Sequence, residues 1–265
     1  VLSLARATAT RGTAGEPLPN PFKGLAREGI AFRMGQLSLV AAGPGSGKSL
    51  VALTLAMRAG VPSLYFSADT DQQTMAVRAG AMLMGWTTDD VENALEQGLT
   101  EALEVQMHHQ AHISFNFNAS PSATEMENEL KAYRQVFGDF PALIVMDLLA
   151  NLDTENGSAG VAKLEDNCDF LHEIARETGA HVMAVHHVVG EYEDGLMAVP
   201  LSGLRGKTGK TPEMVLTLHR VGDDTYEGVR QLGVSVVKHR TGKADPSGRW
   251  VIPFTVDLPR MRVEG

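Results

Sequence analysis

A chain of 265 residues is long enough for one large α/β domain with a complete core. Its 43% hydrophobic and 21% charged residues fit a globular protein, and no apolar run approaches the ~20 residues of a membrane span, so no membrane role is expected. The formal net charge of −9 excludes broad attraction to nucleic acid and leaves that role only to locally clustered Lys and Arg.

Residues 1–20, rich in Ala, Thr, Gly and Pro without periodicity, are expected to form a flexible N-terminal arm or a segment docking on a neighbouring subunit. They show no signal-peptide pattern. Residues 21–265 are expected to form a single domain. The apolar run 36–42 predicts a strand, followed by a glycine-rich loop and a helix over 48–58. A second strand is expected at 63–68, then a helix through Met84, one or two more helices over 87–110, and a strand at 112–117. Ser122-x-x-Glu125 is a capping-box pattern ahead of a helix ending near Phe137. A buried strand at 142–146, a helix over about 162–178 and another buried strand at 181–185 follow.

Within that helix, Cys168 is spaced from Leu164, Leu171 and Ala175 as a packed position, and a lone cysteine fits a reducing cytoplasm. The last third offers strands at 214–218, 233–238 and 249–254. Strands alternating with helices, several of them continuously apolar, imply an α/β fold: a mostly parallel central sheet flanked by helices, with a β-rich C-terminal end.

Ala42-Gly43-Pro44-Gly45-Ser46-Gly47-Lys48-Ser49 lies between a strand and a helix, the setting of a phosphate-binding loop. Small residues let successive backbone N–H groups curl around phosphate oxygens at a helix N-terminus. Lys48 would bring a charge to the β- and γ-phosphates, and the Ser49 hydroxyl could ligate Mg2+. ATP and Mg2+ are therefore the expected ligands. The apolar run Leu143-Ile144-Val145-Met146 ends in Asp147, which places a carboxylate at the sheet edge where ligands bind, on the water shell of the metal. Asp69 ends the strand after the loop helix and suits a base that aligns water against the γ-phosphate. The alternative is that Asp69 and Asp71 only cap the next helix.

These motifs together resemble the C-terminal ATPase domain of DnaB-type replicative helicases, within the RecA-like superfamily, over residues 22–254. Alanine is the common first residue of that family's phosphate loop, as Ala42 is here. The family carries a glutamate where Phe66-Ser67-Ala68-Asp69 ends, and an aspartate is one methylene shorter. Asp147 falls on the family's Ile-Val-Ile-Asp segment. Val185-His186-His187 falls on a Ser-Gln pair whose glutamine senses the γ-phosphate, so the resemblance assigns that role to His187. Val237-Lys238-His239-Arg240-Thr241-Gly242 resembles the family's Lys-Gln-Arg-Asn-Gly segment, which implies that Lys238 and Arg240 reach a neighbour's ATP site; a solvated basic turn is the alternative.

The stretch 201–210, with Arg205, Lys207 and Lys210 and no acid, resembles the run from the family's central DNA loop into the sheet. It reads as a flexible basic segment for a single-strand backbone, or as a mobile surface loop; residues 157–163 are a second candidate. His108, His109 and His112 invite a metal reading, with no Cys or acid beside them.

The resemblance implies an ATP-hydrolysing motor on single-stranded DNA: a homo-oligomer, as a hexameric ring, with ATP at subunit interfaces. Two other readings stand beside it. One is a recombination mediator that binds single strands without unwinding, and the other is a regulatory ATPase indifferent to DNA.

Overall fold

Residues 15–222 and 228–265 are described by the structure, a computed structural model. The helices are α1 (Lys23–Arg27), α2 (Lys48–Ala59), α3 (Gln72–Met84), α4 (Thr88–Glu96), α5 (Glu101–His108), α6 (Ala123–Phe137) and α7 (Gly160–Thr178). The strands are β1 (Leu37–Ala42), β2 (Ser63–Ser67), β3 (Ile113–Asn116), β4 (Leu143–Asp147), β5 (His181–His187), β6 (Met214–Val221), β7 (Val229–His239), β8 (Val251–Asp257) and β9 (Arg262–Glu264). Among the described residues these strands form one sheet, in the order β3-β2-β4-β5-β1-β6-β7-β8-β9.

The pairs from β3 to β6 are parallel, and those from β6 to β9 antiparallel. The mostly parallel sheet with a β-rich end is as expected.

The parallel strands β1, β2 and β4 are buried throughout, so they read as nearly continuous apolar runs in the sequence. Side chains still alternate: Val40, Ala42, Leu143 and Val145 join one core layer, with α2, α3, Phe22 and Phe254. Leu37, Leu39, Ala41, Ile144 and Met146 join the other, with α6 and α7. Phe22 stacks on Phe254 with centroids 5.3 Å apart, a contact worth ~0.5–1.5 kcal/mol beyond the area it buries. Cys168 is buried in the second layer, as its spacing predicted. The Ser122 hydroxyl and the Glu125 carboxylate close the expected capping box of α6.

Several boundaries differ from expectation. Residues 15–20, assigned above to an arm, pair with the turn after α1: Leu18 is buried, its N–H donates to Phe32 O at 2.7 Å, and Met34 N–H donates to Glu16 O at 2.9 Å. Residues 1–14 of the expected arm lie outside the described residues. The expected one or two helices over 87–110 are two, α4 and α5. The segment 201–210 is not a free loop: it contains 3-10 turns at Leu201–Gly203 and Thr208–Lys210, and Gly203 and Thr208 are buried. Of the alternative candidate 157–163, the last four residues are the first turn of α7. No helix among the described residues is long and apolar enough to cross a membrane.

Candidate functional site

Four strands deliver the site to one edge of the sheet. Ala42 of β1 pairs with His187 of β5, and Ser67 of β2 pairs with Asp147 of β4. The C-terminal ends of all four strands therefore lie side by side, where an open parallel sheet leaves its binding crevice. A cleft of about 360 Å³ opens there, lined by Pro44, Lys48, Ser49, Asp69, Arg78 and His187 among others.

The glycine-rich loop joins β1 to α2 by a backbone that side chains would obstruct. A Cβ on Gly43 would lie 2.2 Å from the carbonyl oxygen of Glu193. Gly47, the N-cap of α2, has φ +85, which glycine adopts without strain. The loop thus ends on the N–H groups of the first turn of α2, a cradle suited to phosphate. Lys48 is buried and its Nζ donates to Gly43 O at 2.8 Å. Burial pulls its pKa down, and the charges of Asp147 and Asp69 oppose that. The ammonium is thus turned inward over the loop.

Ser49 Oγ donates to Asp147 Oδ1 at 3.1 Å, and the Tyr65 hydroxyl donates to Oδ2 at 2.8 Å. Burial pushes the Asp147 carboxyl above its ordinary value, although both hydrogen bonds and Lys48 act the other way. Burial, and then the charge of Asp147, push the Tyr65 phenol well above its own. A hydroxyl and a carboxylate so placed form a hard-oxygen set that fits Mg2+, which keeps several waters and takes few protein ligands.

Of the two aspartates, the structure assigns a capping role to Asp71. Asp71 is the N-cap of α3, accepting from the N–H groups of Gln73 and Thr74, while Asp69 caps no helix among the described residues and stands exposed at the cleft. His187 lines the same cleft, and burial, Lys48 and Arg205 all lower its pKa. Near neutral pH it is therefore an uncharged imidazole.

Composition and spacing missed three contributors. Tyr65 reads as one more apolar strand residue, and only the β2–β4 register brings it to Asp147. Arg78 of α3 lines the cleft and donates to Thr70 Oγ1 at 3.1 Å. The turn at 192–195 packs on the phosphate loop; its Gly195 lies so close that a Cβ would meet Ser46 Oγ at 2.4 Å.

The basic segment begins at the cleft. Val188 and Leu204 form an antiparallel bridge, Arg205 N–H donates to His187 O at 3.1 Å, and His186 Nε2 donates to Arg205 O at 2.7 Å. Arg205, Lys207 and Lys210 are exposed along it. Lys238 and Arg240 lie elsewhere. β6 runs parallel to β1 and antiparallel to β7, so the end of β7 sits at the edge where β1 begins, across the sheet from the phosphate loop. There Lys238 Nζ donates to Gly209 O at 2.8 Å and to Lys210 O, and Arg240 donates to Thr211 O and Glu213. His108 closes α5 while His112 lies beyond it, so the pair does not share a helix face.

A family model described as DnaB-like helicase C terminal domain matches residues 18–254. The Gene 65 protein of Mycobacterium phage L5 is 46% identical over 242 residues, 90% of this chain and 89% of that protein. The Gene 65 protein of Mycobacterium phage D29 is 48% identical over 213 residues, 79% of this chain and 90% of that protein. Among solved structures, one described as an ATPase domain superimposes with a TM-score of 0.79 at 16% identity, over 99% of this chain and 95% of that one. A DnaB-like replicative helicase, described with its interactions with primase, gives 0.79 at 16% identity over 98% of this chain and 66% of its own. At such identities the two structures share the fold.

Proposed function

The chain belongs to the DnaB-like helicase C-terminal domain family, a family of helicase ATPases, and on that footing we propose that it hydrolyses Mg2+-ATP in a hexameric ring moving along single-stranded DNA in the cytoplasm. The observation that carries this reading is the main-chain link from Arg205 to His187. It ties a segment of exposed cations to a residue in the wall of the phosphate cleft.

In this reading the N–H groups of residues 43–49 cradle the phosphates, and Lys48 leaves Gly43 O for the β- and γ-oxygens. Ser49 and the Asp147 side would hold Mg2+, which when bound neutralises charge on those oxygens. Asp69 accepts a proton from water as its oxygen attacks the γ-phosphorus. The bond from that phosphorus to the β-bridging oxygen breaks, leaving ADP and phosphate. His187, uncharged, donates a hydrogen bond to the γ-phosphate and reports its loss to Arg205. Arg240, and Lys238 beside it, serve a neighbouring subunit in this reading, which is supported by their place at the sheet edge opposite their own phosphate loop. An arginine supplied in trans is worth ~10³-fold or more in related enzymes. Arg205, Lys207 and Lys210 line the path of a single strand.

The test is ATP hydrolysis with and without single-stranded DNA over a range of protein concentrations, with Lys48→Ala as blank. Stimulation by DNA, with specific activity rising with concentration, is expected. Indifference to DNA would replace this reading by a regulatory ATPase. Stimulation without strand separation in a forked-duplex assay would favour a recombination mediator.

A further inference from the structure

Glu213 occupies the loop before β6 and is the hub of the sheet edge that carries Arg240. Its Oε1 accepts from Arg240 Nη1 at 3.3 Å and from His172 Nε2 at 3.0 Å. Its Oε2 accepts from Leu37 N–H at 3.0 Å, and its own N–H donates to Leu37 O at 3.0 Å. Its carbonyl takes the Arg240 N–H at 2.9 Å, so both ends of Arg240 are held by one residue. The Glu213 side chain is 14% exposed, whereas that of the arginine is 49% exposed. A nearly buried carboxylate with every oxygen engaged is a fixed anchor, and an arginine tied to it is a half-fixed fork.

The second hold is Thr211, whose carbonyl accepts from Arg240 Nη2 at 2.9 Å and whose hydroxyl donates to Asp169 of α7 at 2.6 Å. These two bonds use two of the five guanidinium donors and leave the rest of the fork for an incoming anion. Leu37 starts β1, the strand that ends in the phosphate loop. A single carboxylate therefore joins the arginine at one edge to the strand leading to the loop at the other.

We propose that Glu213, braced by His172, is a positioning residue that aims Arg240 at the γ-phosphate held by a neighbouring subunit. This rests on the trans reading of Arg240 given above. Holding the guanidinium in advance lowers the ordering cost at each interface, and misplacement by about 1 Å costs up to ~10²-fold in rate. The effect of losing Glu213 is then felt at the neighbour's ATP and not at its own.

Co-assembled subunits test this. Lys48→Ala subunits cannot hydrolyse but carry an intact Arg240 with its anchor. Arg240→Ala and Glu213→Gln subunits carry an intact loop. Glu213→Gln alone is expected to lower kcat about tenfold with the KM for ATP within about twofold, and to add nothing in the Arg240→Ala background. Co-assembly of Lys48→Ala with either variant should restore activity above the sum of the separate proteins.

If Arg240→Ala is not rescued, the trans reading falls and takes this proposal with it. If Arg240→Ala is rescued but Glu213→Gln is not, Glu213 serves only its own subunit and the proposal alone is overturned. Should Glu213→Gln fail to assemble, His172→Ala keeps the Glu213 bonds to Leu37 and Arg240 and decides the matter: a smaller kcat loss rescued by Lys48→Ala subunits supports positioning, and an unrescued loss or none overturns it.

Discussion

The buried imidazole of His186 donates from Nε2 to the main-chain carbonyl of Arg205 over 2.7 Å, and its Nδ1, also buried, has no partner among the described residues. That bond pins the start of the basic segment to the end of β5. Replacing His186 with Phe keeps an aromatic ring in place but frees the carbonyl. Stimulation of hydrolysis by single-stranded DNA is expected to fall severalfold, with hydrolysis in the absence of DNA kept within about twofold. Equal loss of both rates would mean that the ring supports the cleft and not the segment.

Burial holds two histidines neutral, and this sets a limit in acid. His181 donates from Nδ1 to Arg33 O and accepts the Ser38 hydroxyl at Nε2, each at 2.9 Å, so a second proton would break the Ser38 bond. Burial lowers the pKa of both His181 and His186 to about 4. The unfolded chain binds protons from about pH 6.5 downward while the fold refuses them to about 4. Stability from each is thus complete above about 6.5 and is lost as pH falls towards 4, on the order of 3 kcal/mol apiece. Urea unfolding at steps from pH 7 to 4 should show this slope, and His181→Gln should flatten it.

The exposed cations of the basic segment predict a salt signature. Each phosphate contact on single-stranded nucleic acid contributes about −0.7 to the slope of log K against log salt. Replacing Arg205, Lys207 and Lys210 together by Ala should therefore make that slope shallower by about 2, and should weaken binding about equally for all sequences. Fluorescence anisotropy with two unrelated oligonucleotides between low and moderate salt measures it. An unchanged slope would move the DNA path elsewhere.

What the sequence makes legible here is what burial on both faces imposes. β1, β2 and β4 stand out because nearly all their positions are apolar or small, and the phosphate loop and Asp147 follow from where those strands stop. β5 runs two residues further than its apolar part, through His186 and His187, because both stay in register with Ala41 and Ala42 of β1. β7 starts at Val229, four residues before the expected strand, since Arg230 and Gln231 extend the antiparallel pairing with β8 beyond the apolar stretch. β9 is three residues long and carries no pattern of its own. Tyr65, Arg78 and the 192–195 turn reach the site through sheet register and chain crossing, which no local spacing encodes. The opposition of Arg240 to its own loop likewise exists only once β6 lies parallel to β1 and β7 returns beside it.

Asp147 is a carboxylate that the fold holds at a cost. Its pKa is raised by burial, so its contribution to stability is full below the ordinary carboxylate range and is lost as pH rises through the higher folded value. At neutral pH without Mg2+, Asp147→Asn should then raise the melting temperature, by a few °C at most, because the neutral amide can still bond Ser49 and Tyr65. Hydrolysis should fall at least about a hundredfold, since the metal loses its carboxylate. Differential scanning fluorimetry with and without Mg2+-nucleotide gives both signs: the ligand should stabilise the parent and not the variant. A variant less stable than the parent would mean that the charge, and not the shape, of Asp147 holds β4 to α2.

Asp69 stands exposed at the cleft while Asp71 does the capping, so its substitution separates chemistry from folding more cleanly than any other in the site. Asp69→Asn keeps size and polarity but cannot take a proton from water. General-base catalysis is worth about 10²–10⁴-fold, and kcat should drop in that range with the KM for ATP and the melting temperature nearly unchanged. Asp69→Glu extends the same carboxylate by one methylene, to the length found in DnaB-type helicases. If the reach of the aspartate is bridged by the local backbone, Glu should overshoot and lose activity; if a bridging water fills the gap, Glu should displace it and hydrolyse at least as fast. Steady-state hydrolysis of the parent and both variants decides between them. A kcat for Asp69→Asn within about twofold of the parent would remove Asp69 as the base and direct attention to a carboxylate from a neighbouring subunit.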